Sequence, residues 1–249
     1  ADGFDKILHD ETREESAMIG VFDYTVILTY LSLLSAAMGI LISLQGSGHP
    51  YLGVFFLMFC GLCDAFDGKV ARMKKDRTDL EKSFGVQIDS LSDLVAFGML
   101  PACIGAAMIR VSPVLRELGE SMKGSPWVAA LSIGLYVISL LFVLAALIRL
   151  AYFNVTEEER QKKEGGVRAF YTGLPVTSSA LIFPTILLLQ YLLPVDITPL
   201  YFGAMLLTGI AFLAKFQLKK PGLKGILIMI AIGAVEFALM VAIRLLRHY

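Results

Sequence analysis

Long apolar runs alternate with short polar connections along most of the chain. Seven runs are long enough to cross a bilayer as helices, since about 20 apolar residues span the hydrocarbon core. The runs cover residues 24–45, 49–73, 85–111, 127–153, 173–193, 198–216 and 222–246. This pattern predicts an all-α polytopic membrane bundle of about seven transmembrane helices, with six or eight as alternatives.

The first 22 residues follow a different pattern, in which apolar residues such as Phe4, Ile7 and Leu8 are spaced among acidic ones. This spacing predicts an N-terminal juxtamembrane helix over 1–22 that lies at the membrane surface or against the bundle. Its acidity argues against attraction to anionic lipids, so packing on the protein is favoured. No internal repeat or long linker divides residues 23–249, which we interpret as one membrane domain.

Composition agrees with a membrane protein, because 56% of residues are hydrophobic and the mean hydropathy is +0.70. Lysine plus arginine and aspartate plus glutamate number 22 each, so net charge gives no reason to expect a nucleic-acid partner. Positive charge is concentrated in the connections at 73–84, 154–172 and 215–224. Basic loops stay in the cytoplasm, which predicts a multi-pass cell-membrane protein whose N-terminus is inside.

Four aspartates interrupt the second and third apolar runs near their predicted cytoplasmic ends, where burying a carboxylate is costly. At 100° per residue they fall on two helical faces, the first within an arc of about 140°. The faces contain Asp64, Asp67, Gly68, Ala71 and Arg72 on one helix, and Gly85, Asp89 and Asp93 on the other.

If these faces meet, four carboxylates converge and require cations to offset their repulsion. Oxygen ligands favour Mg²⁺ or Mn²⁺. The competing interpretation of Asp64 and Asp67 is a solvated helix end. It fits Asp89 and Asp93 poorly, because a long apolar run follows them directly. A stripe of glycines alone would equally indicate tight helix packing.

These eight positions resemble the signature of the CDP-alcohol phosphotransferase family, D-x-x-D-G-x-x-A-R followed by G-x-x-x-D-x-x-x-D. The resemblance implies a helical membrane enzyme that displaces CMP from a CDP-linked lipid, as a homodimer. The chain departs from the family in its spacer: twelve residues separate Arg72 from Gly85, where about eight or nine are usual. The insertion leaves open how this loop covers the nucleotide.

The resemblance also implies a role for each position. Asp64, Asp67 and Asp89 would hold two divalent ions that bridge the diphosphate. Asp93 would be the general base and could also be a ligand. The three small residues, Gly68, Ala71 and Gly85, would let cytidine and phosphates approach the backbone. Arg72 would donate to a phosphate.

Two further stretches, ALIRLAYFNV at 146–155 and FYTGLPVT at 170–177, are similar to the phosphatidylserine synthase branch of the family. This implies CDP-diacylglycerol and L-serine as substrates, giving phosphatidylserine and CMP. Tyr152 and Ser32 depart from the branch, which often has arginine and asparagine there. Glycerol 3-phosphate, an inositol phosphate and choline therefore remain alternative acceptors.

Arg149 and Arg168 could bind the serine carboxylate through their guanidinium groups, or they could be positive-inside anchors that reach the membrane interface. Glu236, inside the last apolar run, could pair with a polar neighbour or mark a dimer contact. Cys60 and Cys63 form a C-x-x-C, which we interpret as small-residue packing rather than a redox pair.

A rival from another class is a divalent-cation transporter or channel, since acidic residues in membrane helices also mark ion paths. A transporter predicts carboxylates near the middle of the membrane along a pathway. The aspartates here lie instead at one predicted face, beside small residues and an arginine.

Overall fold

The computed structural model describes residues 19–45, 50–122, 126–163, 170–193, 195–219 and 223–247. Helices dominate this part of the chain. They are α1 Ile27–Leu44, α2 Pro50–Ala71, α3 Asp79–Asp93, α4 Leu100–Val111, α5 Pro113–Ser121, α6 Pro126–Lys163, α7 Ser179–Leu192, α8 Thr198–Leu213 and α9 Leu223–Arg247. A π-helical turn over Leu94–Met99 joins α3 to α4, and a 3₁₀ turn over Val176–Ser178 precedes α7.

Each of the seven predicted apolar runs is helical, which confirms a helical membrane bundle. Among the described residues, three stretches are long and apolar enough to cross a membrane, at Ile27–Leu44, Asp79–Val111 and Pro126–Arg160. Shorter apolar helices lie at Val176–Gln190, Thr198–Leu213 and Leu227–Ile243. The number of crossings stays a prediction, as does the division into an N-terminal helix and one membrane domain.

Helix α6 is longer than predicted, because it runs ten residues past 153 into the polar segment TEEERQKK. Side chains one turn apart stabilise this extension. Arg160 and Glu157 pair at 2.6 Å, and Lys162 and Glu158 pair at 2.7 Å. Part of the predicted cytoplasmic loop at 154–172 is therefore helix.

Helix α3 begins six residues before the predicted apolar run, because Thr78 and Glu81 form a capping box. The Glu81 amide donates to Thr78 Oγ1 at 3.2 Å, and the Thr78 amide donates to Glu81 Oε2 at 2.6 Å. The connection between α2 and α3 shrinks to residues 72–78.

Helix α5 and strands β1 and β2 were not predicted from the sequence. Helix α5 occupies part of what was expected to be a loop, and the Leu115 amide donates to the capping Ser112 hydroxyl at 3.1 Å. Strands β1 (Phe170–Thr172) and β2 (Gln217–Lys219) pair antiparallel, with Thr172 opposite Gln217. This short ladder joins the segment before α7 to the segment after α8.

Most of the helix predicted over 1–22 lies outside the described residues. Residues 19–22 form a bend and extended chain, so the helix does not continue to 22. The Tyr30 hydroxyl donates to the Val21 carbonyl at 2.8 Å and fixes this segment against α1.

An aromatic cluster fills the interior between α6, α7 and α8. The Phe142 and Phe183 rings meet edge to face at 5.5 Å, and the Phe183 and Tyr201 rings lie 5.0 Å apart. The buried Tyr201 hydroxyl donates to the Pro101 carbonyl at 2.8 Å, so α8 is tied to α4 as well as packed against it. Apart from this hydrogen bond, the rings stabilise the bundle through dispersion contacts.

Small residues bring α1 and α2 into close contact, as expected for helices packing in lipid. A Cβ at Gly39 would lie 2.9 Å from Phe56. Cys60 and Cys63 are buried free thiols, and Cys60 Sγ donates to the Ser32 carbonyl at 3.2 Å. These contacts agree with the packing interpretation of the C-x-x-C.

Asp196, in the loop between α7 and α8, connects the C-terminal end of α4 to the start of α8. Its carboxylate accepts hydrogen bonds from the Ser112 hydroxyl and from the Thr198 amide. Burial raises the pKa of Asp196, but the bonds from Ser112 and Thr198 outweigh it and hold the pKa below its usual value. At 1.5 Å per residue, this clamp lies about 35 Å along the helix from Asp89.

Candidate active site

Carboxylates from the last turns of α2 and the second half of α3 converge. Asp64 on α2 and Asp89 and Asp93 on α3 each offer an oxygen, and the three oxygens lie within 4.8 Å of one another. The Asp67 carboxyl, one turn beyond Asp64, lies within hydrogen-bonding reach of Asp89. The structure therefore brings together all four predicted aspartates.

The connection that turns α2 back into α3 is held by Lys74. Its Nζ pairs with Glu81 on α3 at 2.8 Å and with Asp23, ahead of α1, at 2.7 Å. Hydrogen bonds to Asp23 and Glu81 raise the pKa of Lys74 above its usual value. Burial raises the pKa of Asp23, but the bonds from Lys74 and Thr25 outweigh burial and leave it below its usual value.

Asp93 is the most buried of the four aspartates, with 8% of its surface exposed. The neighbouring Ser92 hydroxyl donates to the Thr29 carbonyl at 3.2 Å, which fixes this part of α3 against α1. The π-helical turn starts at the next residue, Leu94. Such turns are often found at functional sites, and this one was not predicted from the sequence.

The donor set fits divalent cations. Within the described residues, no lysine or arginine forms an ion pair with any of the four aspartates. Four clustered carboxylates without a cation would repel one another strongly. Carboxylate oxygens are the ligands that Mg²⁺ and Mn²⁺ prefer.

Two guanidinium groups cover the two glycines of the motif. A Cβ at Gly68 would lie 3.3 Å from Arg72 Nη1, and one at Gly85 would lie 2.7 Å from Arg77 Nη2. Arg77 also reaches the carbonyls of Glu81 at 3.1 Å and Ala71 at 3.5 Å. Sequence reasoning missed Arg77, whose signal was the unusual length of the spacer that contains it.

Arg149 on α6 is 6% exposed and therefore does not fit the alternative of an anchor reaching the interface. Its Nε donates to the Leu174 carbonyl at 3.1 Å, and its guanidinium lies 5.6 Å from the centre of the Phe153 ring. The second predicted acceptor residue, Arg168, lies outside the described residues.

Glycine is required at position 173, where φ is +77° and a Cβ would lie 2.9 Å from the Ala214 carbonyl oxygen. The Gly173 amide donates to the Phe216 carbonyl at 2.6 Å. This tight turn directly precedes Leu174 and so sets where the carbonyl that holds Arg149 lies.

Asn154, one turn beyond Leu150 on α6, donates from Nδ2 to Ser90 Oγ at 2.7 Å. Because Ser90 is next to Asp89, this bond links α6, which also carries Arg149, to the helix that carries two of the carboxylates.

Glu236 on α9 is 6% exposed and pairs with Thr185 on α7 at 2.5 Å. Of the two alternatives for this residue, the structure supports pairing with a polar neighbour. Its second oxygen, Oε2, is buried and has no hydrogen-bond partner within the described part of the chain.

The aspartates occupy the last two turns of α2 and the middle and end of α3, just ahead of the apolar stretch that starts at Leu94. A transporter would instead be expected to place carboxylates along a path through the membrane. The observed arrangement suits a site that handles a polar headgroup at the membrane surface.

Comparison with known proteins gives a family. The chain is 34% identical over 143 residues to CDP-diacylglycerol--serine O-phosphatidyltransferase of Saccharomyces cerevisiae, a match that covers 56% of this chain and 43% of the yeast protein. It is 25% identical over 187 residues to the Helicobacter pylori J99 protein of that name, covering 74% of this chain and 67% of the relative.

Archaetidylserine synthase of Methanothermobacter thermautotrophicus is 32% identical over 156 residues, covering 60% of this chain and 52% of the relative. This chain thus spans between about two fifths and two thirds of the length of these relatives. The sequence profile of the CDP-alcohol phosphatidyltransferases matches residues 24–215, which include all four aspartates and both guanidinium-covered glycines. The chain belongs to the CDP-alcohol phosphatidyltransferase family.

Proposed function

We propose that this chain transfers the phosphatidyl group of CDP-diacylglycerol to the hydroxyl of L-serine, forming phosphatidylserine and releasing CMP. The observation that carries the proposal is the convergence of Asp64, Asp89 and Asp93 within 4.8 Å, with Asp67 beside them. Three relatives named as a serine O-phosphatidyltransferase or an archaetidylserine synthase support the choice of acceptor.

Asp64, Asp67 and Asp89 would hold two divalent cations, Mg²⁺ or Mn²⁺, with Asp93 as a further ligand. When bound, such ions neutralise charge on a diphosphate and on the departing phosphate. Gly68, Ala71 and Gly85 would present backbone at close range to the nucleotide, and Arg72 would donate to a phosphate.

Asp93 would take the proton from the serine hydroxyl. The serine oxygen would form a bond to the lipid-side phosphorus, and the bond from that phosphorus to the bridging oxygen would break. CMP would leave with the bonding electron pair. Limited contact of Asp93 with water favours transfer to serine over hydrolysis of the donor.

Arg149 would bind the serine carboxylate, because the planar fork of a guanidinium matches a carboxylate and the Leu174 carbonyl orients it. Arg168 would assist from the segment before β1. Glycerol 3-phosphate, an inositol phosphate and choline remain the alternative acceptors. Choline has no carboxylate or phosphate for Arg149 to bind, so it tests this assignment most directly.

The basic connections favour a cell-membrane protein whose active site faces the cytoplasm. The acyl chains of CDP-diacylglycerol would remain in the bilayer while its diphosphate reaches the aspartates. We further propose a homodimer, on the basis of family membership.

The test is CMP release by purified protein from CDP-diacylglycerol in mixed micelles, with each alcohol offered separately. We expect serine to support the fastest release, EDTA to abolish it, and added Mg²⁺ or Mn²⁺ to restore it. Faster release with another alcohol would change the acceptor. Divalent-ion flux in liposomes without CMP release from any alcohol would favour the transporter.

A further inference from the structure

We propose that Arg77, which lies in the long spacer outside the motif, binds the nucleotide end of CDP-diacylglycerol. The inference rests on the proposed function, because it assigns a contact within the same site. It concerns the phosphate-bearing cytidylyl group, which is also present in the product CMP.

The position of the side chain is the first step. The guanidinium of Arg77 covers Gly85, with Nη2 2.7 Å from where a Cβ would be. Gly85 precedes Asp89 by one helical turn, a rise of about 6 Å. The guanidinium therefore lies at the border of the carboxylate cluster, on the small-residue surface that we assign to the nucleotide.

The unused bonding capacity of Arg77 is the second step. A guanidinium has five N–H donors, and its known contacts here are carbonyl oxygens, those of Glu81 at 3.1 Å and Ala71 at 3.5 Å. Its Nε is buried and has no hydrogen-bond partner among the described residues. No described carboxylate pairs with it, although Glu81 is close, because the Glu81 carboxylate binds Lys74 and Thr78.

A buried donor without a partner is costly, and so is a cation without a counter-charge. A phosphate supplies the missing counter-charge, and its oxygens match the donors at the outer end of the planar fork of an arginine. Arg72, laid over Gly68, is the corresponding guanidinium on α2. The site would therefore offer one arginine from the motif and one from the spacer to the diphosphate.

The alternative is a structural clasp, in which Arg77 only holds the end of α2 against the start of α3. The two roles differ in what the loss of Arg77 changes. If Arg77 is a clasp, its loss changes the fold, the carboxylate cluster and the binding of both substrates together. If it is a nucleotide contact, its loss weakens only the binding of ligands that contain the cytidylyl phosphate.

The experiment compares full-length wild type, Arg77→Ala, Arg77→Lys and the control Lys75→Ala, which removes an exposed cation from the same loop. CMP binding is measured by calorimetry in detergent with Mg²⁺ present, and KM is measured for CDP-diacylglycerol and for serine. Thermal midpoints are recorded for each protein.

We expect Arg77→Ala to raise the Kd for CMP and the KM for CDP-diacylglycerol about tenfold, as for loss of a charge-assisted hydrogen bond. The KM for serine and the thermal midpoint should stay at wild-type values. Arg77→Lys should recover part of the loss, since it keeps the charge without the fork, and Lys75→Ala should behave as wild type.

Unchanged CMP binding in Arg77→Ala would overturn the inference, and so would a loss matched by a lower thermal midpoint and a higher KM for serine. Wild type that binds no CMP would overturn it as well. If wild type binds CMP in an Arg77-dependent manner but does not use serine, the proposed acceptor fails while the Arg77 contact stands.

Gly85→Ala supplies a second test. The added Cβ would displace the end of the Arg77 side chain, so it should weaken CMP binding in the wild-type background. In the Arg77→Ala background the same change should cost much less. Equal costs in the two backgrounds would contradict a shared role for the pair.

Discussion

The most direct test of the chemistry is Asp93→Asn, which keeps the size of the side chain and removes its negative charge. Asp93 is 8% exposed and lies within 4.8 Å of the carboxylate oxygens of Asp64 and Asp89. No neighbouring base is free to replace it, because both neighbours are assigned to the metal ions.

General-base catalysis contributes about 10²–10⁴-fold to rate. Since burial limits replacement of Asp93 by water, we expect the upper part of that range, a fall in kcat of about 10³–10⁴-fold. At about 1.4 kcal/mol for each factor of ten, this corresponds to a barrier increase of about 4–5.5 kcal/mol. The assay is CMP release at saturating serine and CDP-diacylglycerol.

The thermal midpoint in EDTA separates lost chemistry from misfolding. Asp93→Asn removes one charge from a cluster of like charges, so its midpoint should equal or exceed that of wild type. Asp76→Asn, an exposed change in the α2–α3 connection, is the matched control and should retain full activity. Asp93→Asn activity within tenfold of wild type, with normal metal dependence, would refute the assignment of Asp93 as the base.

Three further predictions concern the supports of the site. Gly173→Ala forces a side chain into the left-handed region at φ +77° and towards the Ala214 carbonyl, at a cost of about 1–2 kcal/mol for the backbone alone. It should lower the thermal midpoint and, by moving Leu174, raise the KM for serine about tenfold, whereas unchanged serine kinetics would separate this turn from acceptor binding. Thr78→Ala removes one half of the capping box and should cost about 1 kcal/mol, seen as a midpoint about 2–4 °C lower, with Thr156→Ala inside α6, where no cap is lost, as a comparison. Asp23→Asn should destabilise the protein at neutral pH, because the folded-state pKa of Asp23 is lower than the unfolded one and its stabilisation is present above the unfolded value. This difference should narrow as pH falls below the unfolded value and be lost once the folded group is protonated. A difference in midpoint that does not narrow on acidification would contradict the role of the Lys74–Asp23 pair.

The helices and the carboxylate cluster could be predicted because they depend on the spacing of residues within single helices. Apolar runs specify helices in lipid regardless of their partners, and residues three and four apart share a helical face whatever the fold. Asp64 and Asp67 could therefore be placed opposite Asp89 and Asp93 once their two helices were taken as neighbours.

Features that depend on particular side-chain contacts were not predicted. The early start of α3 depends on reciprocal bonds between Thr78 and Glu81, although the T-x-x-E spacing could have revealed it. The extension of α6 depends on the ion pairs of Glu157 and Glu158, in a segment whose polarity suggested a loop.

Contacts between distant parts of the chain left no local signal at all. The β1–β2 ladder pairs residues almost fifty positions apart, and the position of Arg77 over Gly85 depends on how the spacer folds. For these, the sequence offered only indirect hints, such as a glycine in G-L-P or a spacer of unusual length.

The π-helical turn at Leu94–Met99 has a consequence for how this protein can change. An additional residue within one helical turn offsets the stripe that carries Asp89 and Asp93 from the stripe that packs α4 into the bundle. Deleting one residue there would return the helix to regular winding and rotate one stripe by about 100° relative to the other. The directions in which the aspartate-bearing half and the α4 half of this long helix face are thus independent of each other. The single added residue keeps each half in register with its own partners.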